Sequence, residues 1–199
     1  MNTPPFSAPA LLARIKLVLL QPTQCWSVIS GESKSPKEIL ISIFLPLVAL
    51  SAVCTFLFST FIGVGISFAI KQFVLSSLLA PALLFLFSLI AAKLAPSFGG
   101  SADQDRAFSW LAHCAIPSLV ATIFIFVPAL YFLISLAATG WAVYLMYLGA
   151  GSMLSIPSDK RIFYLLTLIV SMIIVSFVAG TVVASVAPSV PVVVVPNAP

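Results

Sequence analysis

Charge is what this sequence has least of: 7% of its 199 residues are Asp, Glu, Lys or Arg, against about 25% in an ordinary soluble domain. A chain so poor in charge cannot cover a water-facing surface, and its 61% of hydrophobic residues points to a bilayer. Nine Lys and Arg against five Asp and Glu leave a net +4, too sparse to form the basic stripe that holds a phosphate backbone, so nucleic acid is excluded as a partner. With one histidine, catalytic and metal chemistry has little to draw on. His113 and Cys114 are sequence neighbours but stand about 100° apart around a helix, and zinc would need further ligands. The reading adopted for His113 is a hydrogen-bonding residue, with proton handling as the alternative. No catalytic group, metal or cofactor is expected.

A bilayer core about 30 Å thick needs about 20 apolar residues in a helix, since an unpaired backbone amide costs several kcal/mol in lipid. Five stretches qualify. Ile39 to Phe61, Phe73 to Leu94 and Ile162 to Val183 are each bounded by charge, Pro or Gly. Between Ala107 and Ser158 no Asp, Glu, Lys or Arg occurs, and one helix of that length would extend about 78 Å. The sequence around Val127-Pro128 supplies a break, predicting spans at 107–127 and 129–149, with Pro128 starting the fourth. With a cytoplasmic N-terminus, Arg14, Lys16, Lys34, Lys37, Lys93, Arg106, Lys160 and Arg161 fall inside and Lys71 falls outside, a strong positive-inside bias. The expectation is an all-α bundle of five transmembrane helices, residues 39–187, with its C-terminus outside.

Residues 1–38 form an N-terminal cytoplasmic segment. Within it, a helix over about 10–20 carries Leu11, Leu12, Ile15, Val18 and Leu19 on one arc, with Arg14 and Lys16 at its edges. That pattern suits an interfacial helix, and packing against the bundle is the competing reading. Arg14, Lys16, Trp26, Tyr144 and Tyr147 are expected as interface anchors. At the other end, residues 188–199 alternate Pro with Val and are expected to be extended or disordered. None of Cys25, Cys54 and Cys114 falls in an extracytoplasmic loop, so no structural disulfide is expected.

No Asp, Glu, Arg or Lys lies in the middle of a span, which argues against an ion-driven pump. Pro46, Pro81 and Pro117 are expected to kink the first three spans. Ser51, Thr55 and Ser59, like Gly180 with Ala184, allow close helix approach, read as packing within the bundle or onto a second copy. Asp103 and Asp105 superficially resemble a metal-nucleotide motif. With no nucleotide-binding domain beside them, they read as the solvated front of the third helix, where negative charge suits the helix N-terminus.

The order Ala107-Phe108, Ala112, Pro117, then Tyr144 to Gly149, Pro157, Lys160 and Tyr164, resembles the Ypt/Rab-interacting (Yip-type) membrane proteins. Arg14, Lys16, Pro22 and Trp26 ahead of Pro46 resemble that family's bacterial branch. The resemblance spans roughly Leu11 to Val186 and implies a five-span bundle with a cytoplasmic N-terminus, in a bacterial inner membrane. Eukaryotic members bind prenylated Rab-type GTPases, act in vesicle budding and Golgi organisation, and associate with one another. Here the expected first span is preceded by 38 residues without a Tyr-Gly-Pro-type segment, and His113 stands where an aromatic is expected, so GTPase binding rests on analogy alone. The function expected is a non-enzymatic scaffold or adaptor that contacts lipids and itself or another membrane protein. Two cytoplasmic loops are its candidate contact residues: Asp103, Asp105 and Arg106 in one, Pro157, Asp159, Lys160 and Arg161 in the other. The alternative is a small-solute or lipid conduit between the proline-bearing spans.

Overall fold

The computed structural model describes residues 7–32 and 34–186; the Pro/Val-rich tail at 188–199 lies outside the described residues. All regular structure among them is helical. Two short helices, α1 (Ala8–Leu20) and α2 (Pro22–Ser30), precede five that are long and apolar enough to cross a membrane. These are α3 (Pro36–Phe61), α4 (Ile66–Leu94), α5 (Gln104–Phe126), α6 (Pro128–Leu154) and α7 (Arg161–Val186). Proline stands in the first turn of α1, α2, α3 and α6, where its missing N–H forfeits no helical bond. Ser35 and Glu38 cap α3 reciprocally: the Ser35 amide donates to Glu38 Oε2 at 2.8 Å and the Glu38 amide to Ser35 Oγ at 3.3 Å.

The three mid-span prolines are accommodated differently. Upstream of Pro46 the helix widens into a π turn over Leu40–Phe44, the Leu45 amide reaching back to Leu40 O. Such a turn admits one extra residue where the proline ring would crowd a carbonyl. Pro81 sits inside α4, which continues through it. Pro117 breaks α5: the helix stops at Cys114, restarts at Ile116 and ends as a 3-10 segment, Thr122–Phe126. Val127 is non-helical, and α6 begins at Pro128. Helix α4 starts two turns ahead of Phe73 because Gly63 and Gly65, both at positive φ, turn the chain directly after α3. Helix α6 passes through Gly149 and Gly151 and stops at Ser155, in the left-handed region at φ 56°.

Helix α5 is the axis of the bundle, with 61% of its apolar window buried against 11–33% in the other four. Outward, Leu78, Phe132 and Phe163 are each about two-thirds exposed, an apolar belt that no soluble protein would carry. The aromatic core lies toward one end, where Trp110 stacks on Tyr164 (centroids 6.1 Å apart) and Phe98 meets Tyr164 edge-on at 5.6 Å. The Tyr164 hydroxyl donates to Ala91 O at 2.9 Å, joining α7 to α4. That carbonyl also receives the Ala95 amide, so Tyr164→Phe removes a bond without orphaning its acceptor. The expected cost is about 1 kcal/mol, read as a fall of roughly 2–4 °C in thermal midpoint in mild detergent.

Two packing expectations need correction. Trp26 is 2% exposed: α2 lies against α6, so its indole packs into the core instead of anchoring at a surface. Gly180 and Ala184 face outward, with nothing within 4 Å of a Cβ placed on Gly180, because the distal half of α7 stands clear of its neighbours; this removes the reading as packing within the bundle and leaves the alternative of a second copy. By contrast, Ser51 and Ser59 turn into the bundle, toward Thr122 Oγ1 at 3.1 Å and Gln72 Oε1 at 3.4 Å. Helix α1 is tied to α6 by the Trp141 indole, which donates to Val18 O at 3.3 Å.

Candidate functional site

The two loops singled out in the sequence meet at one end of the bundle and are bonded to each other. After α4 the chain makes a 3-10 turn, Ala95–Phe98, closed by Gly99 at φ 82°, a left-handed conformation that favours glycine. The next residues run against the end of α6: the Ser101 amide donates to Leu154 O at 2.8 Å, and its hydroxyl reaches the same oxygen at 3.3 Å. Gly100 lies so near that a Cβ on it would come within 2.3 Å of Ile156 and 2.6 Å of Leu154 O, while one on Gly99 would touch Pro157 at 3.5 Å. Asp103 then caps α5, accepting from the Arg106 amide at 3.0 Å and facing Arg106 Nε at 3.4 Å.

The second loop is held from beneath. Arg161 donates from Nη2 to Ile156 O at 3.2 Å, and its guanidinium stands 5.3 Å over the Tyr147 ring, a cation–π arrangement. Gly151 leaves that guanidinium room, since a Cβ there would lie 2.2 Å from Nη2. Arg161 and Tyr147 are therefore structural partners, whereas Asp105, Asp159 and Lys160 are exposed and make no ion pair among the described residues. Pro157 is exposed beside them, Lys16 is exposed on α1, and Tyr144 is partly exposed next to Trp141, 5.6 Å between ring centroids.

A hollow of about 540 Å³ extends this surface, lined by Asp103, Asp105 and Arg106 from one side and Glu32 and Lys34 from the other. Glu32 carries no signal in the sequence beyond being one acid amid the N-terminal cations. It pairs with Arg14 Nη2 and, at 3.1 Å, with Lys34. Burial works to raise the Glu32 pKa, but hydrogen bonds from Arg14 and Lys34 outweigh it, holding the carboxyl below its usual range. Arg14 is accordingly an ion-pair member with a side chain only 10% exposed.

Three groups with intrinsic reactivity, His113, Cys25 and Cys114, lie behind this surface. His113 is 1% exposed, and its Nδ1 lies 2.7 Å from Ser109 O; a carbonyl can only accept, so that nitrogen carries the proton. Cys25 is fully buried and Cys114 nearly so. Burial pushes the Cys25 thiol up to about 11, against the opposing pull of Arg14, so it is protonated at neutral pH and a poor nucleophile. The exposed chemistry at this end is charge and hydrogen bonding, displayed on a rigid ledge.

A family model, the Yip1 domain, matches residues 16–180. No curated protein and no solved structure matches the chain. The match runs from α1 through the five apolar helices into the distal part of α7. The chain is an integral membrane protein that belongs to the Yip1 domain family.

Proposed function

We propose that this protein is a non-enzymatic membrane scaffold or adaptor whose ledge of joined loops, on the cytoplasmic side, contacts another membrane protein or a second copy of the chain. The observation that carries this reading is the bonding of Ser101 to Leu154, which fixes two sequence-distant loops as one surface. Asp105, Asp159 and Lys160 stand exposed on that surface. Rigid display of unpaired charge favours selective protein contact, because these loops then lose little entropy on docking. The enclosure of His113, Cys25 and Cys114 supports the same reading, since a substrate could not reach them. The conduit reading is not favoured: the first and third spans close on each other through the Ser51–Thr122 hydrogen bond.

Photocrosslinking in native membranes tests it. A photoreactive residue at Asp105 or Lys160 is expected to capture a reproducible protein neighbour, while one at Lys71, at the opposite end, captures none in common with them. Capture of lipid alone from the two loop positions would defeat the proposal.

A further inference from the structure

We propose that a crevice between α1 and the first turns of α3 binds the phosphate of an anionic phospholipid. The crevice has a volume of about 820 Å³, and Arg14, Lys34 and Lys37 line it together with Glu38, Leu11 and Ile41. Its two kinds of wall are stacked in the order a phospholipid requires. Lys34 and Lys37 stand at the entry to the first span, and Ile41 belongs to the apolar run just inside it, so a headgroup would meet charge while its chain met hydrocarbon.

The nearby acids do not cancel this charge. Glu38 is one acid against three cations, and its carboxylate accepts from the Ser35 amide and hydroxyl at the helix cap. Glu32, outside the lining, is already paired with both Arg14 and Lys34. Even counting both carboxylates, one positive charge remains. Lys37 makes no ion pair among the described residues.

Arg14 shows that the crevice is more than a cluster of surface lysines. Its side chain is nine-tenths buried, one nitrogen pairs with Glu32, and the other, Nη1, is enclosed without a hydrogen-bond partner. A buried guanidinium N–H left unmet is costly; Arg14 lines the crevice, so a turn of its side chain would bring that nitrogen to a phosphate oxygen, the acceptor that its planar fork matches best. A free phosphate would satisfy the same nitrogen, but it would leave the Leu11 and Ile41 wall unused. The position beside a span and the mixed lining favour the lipid as the source.

The test uses the full chain in an uncharged detergent, exchanged free of native lipid. Phosphatidylglycerol, phosphatidylcholine and inorganic phosphate are added separately and in competition, and bound species are read by native mass spectrometry. One phosphatidylglycerol is expected to be retained in preference to phosphatidylcholine and to resist excess inorganic phosphate. The double substitution K34Q/K37Q is expected to weaken retention about tenfold or more, since each cation near a headgroup is worth about fivefold. Both lysines are exposed, so the lipid-free thermal midpoint should hold, and a single K37Q provides a second reading if it does not. Equal retention of the two lipids, or unchanged retention in the variants, would overturn the proposal. Displacement by inorganic phosphate at equal concentration would overturn the lipid as ligand. Failure here would leave the protein-contact reading of the loops standing, because Asp105, Asp159 and Lys160, on which that reading rests, lie outside the crevice.

Discussion

Gly149→Ala is expected to lower the thermal midpoint in mild detergent by roughly 2–8 °C. Gly149 lies on α6 beneath two indoles: a Cβ there would stand 2.5 Å from Trp110 and 2.8 Å from Trp26. Both rings are essentially fully buried, and Trp110 is further braced by its stack on Tyr164, so neither has space to retreat. Alanine does favour a helix over glycine by about 1 kcal/mol, but overpacking a rigid core costs typically 1–3 kcal/mol and occasionally more. The clash should prevail. Gly180→Ala is the matched control: on α7, with nothing within 4 Å of its new methyl, it should leave the midpoint unchanged or slightly raised. A neutral Gly149→Ala would mean that the Trp110 and Trp26 indoles do not seat over α6 as described.

Gly100→Ala is expected to disconnect the two loops and, with them, the proposed contact surface. Its Cβ would fall 2.6 Å from Leu154 O, a backbone atom that cannot rotate aside and that accepts the Ser101 amide. Relief requires the loops to separate, which forfeits that bond; together with the clash, the cost is about 2 kcal/mol. Because the damage is local to one end, the five spans should still assemble. The measurement is photocrosslinking yield from Lys160, normalised to folded protein: a severalfold drop is expected in Gly100→Ala and none in Gly180→Ala. An unchanged yield would show that the joined loops are not what the neighbour recognises.

Much of the fold is legible in the sequence because the bilayer leaves few choices. Every backbone amide in it must be paired, so apolar length gives the helix count, and the long uncharged stretch between Ala107 and Ser158 has to turn where Val127-Pro128 lets it. Helix ends are less legible, because hydropathy alone does not report a turn: α4 starts early owing to the positive φ of Gly63 and Gly65, which composition does not predict. The cap of α3 was available in principle, since Ser35 and Glu38 have the spacing of a capping box ahead of an apolar run.

The site was legible in part. Loops carrying charge between spans announce themselves, so Asp103, Asp105, Arg106, Asp159 and Lys160 could be named. That the loops are bonded could not, because it depends on backbone proximity permitted by Gly99 and Gly100. Trp26 illustrates a different failure. A tryptophan near a span end suits an interface as well as a core, and only the seating of α2 on α6 decides between them. The helical arc of α1 marks Arg14 in the sequence, yet its partner Glu32 lies beyond the intervening α2, a pairing no local pattern encodes.

The central claim, that this Yip1 domain works by binding another protein through its charged end, is tested most directly by native mass spectrometry of the full chain released from nanodiscs prepared from native membranes. The variant to set beside it carries D159K and K160E, which keep the net charge and reverse its pattern on an exposed turn. The account predicts a reproducible complex containing a second copy or another membrane protein in the natural chain, weakened at least severalfold in the variant. A monomer with no protein neighbour, or a complex indifferent to the reversal, would contradict it.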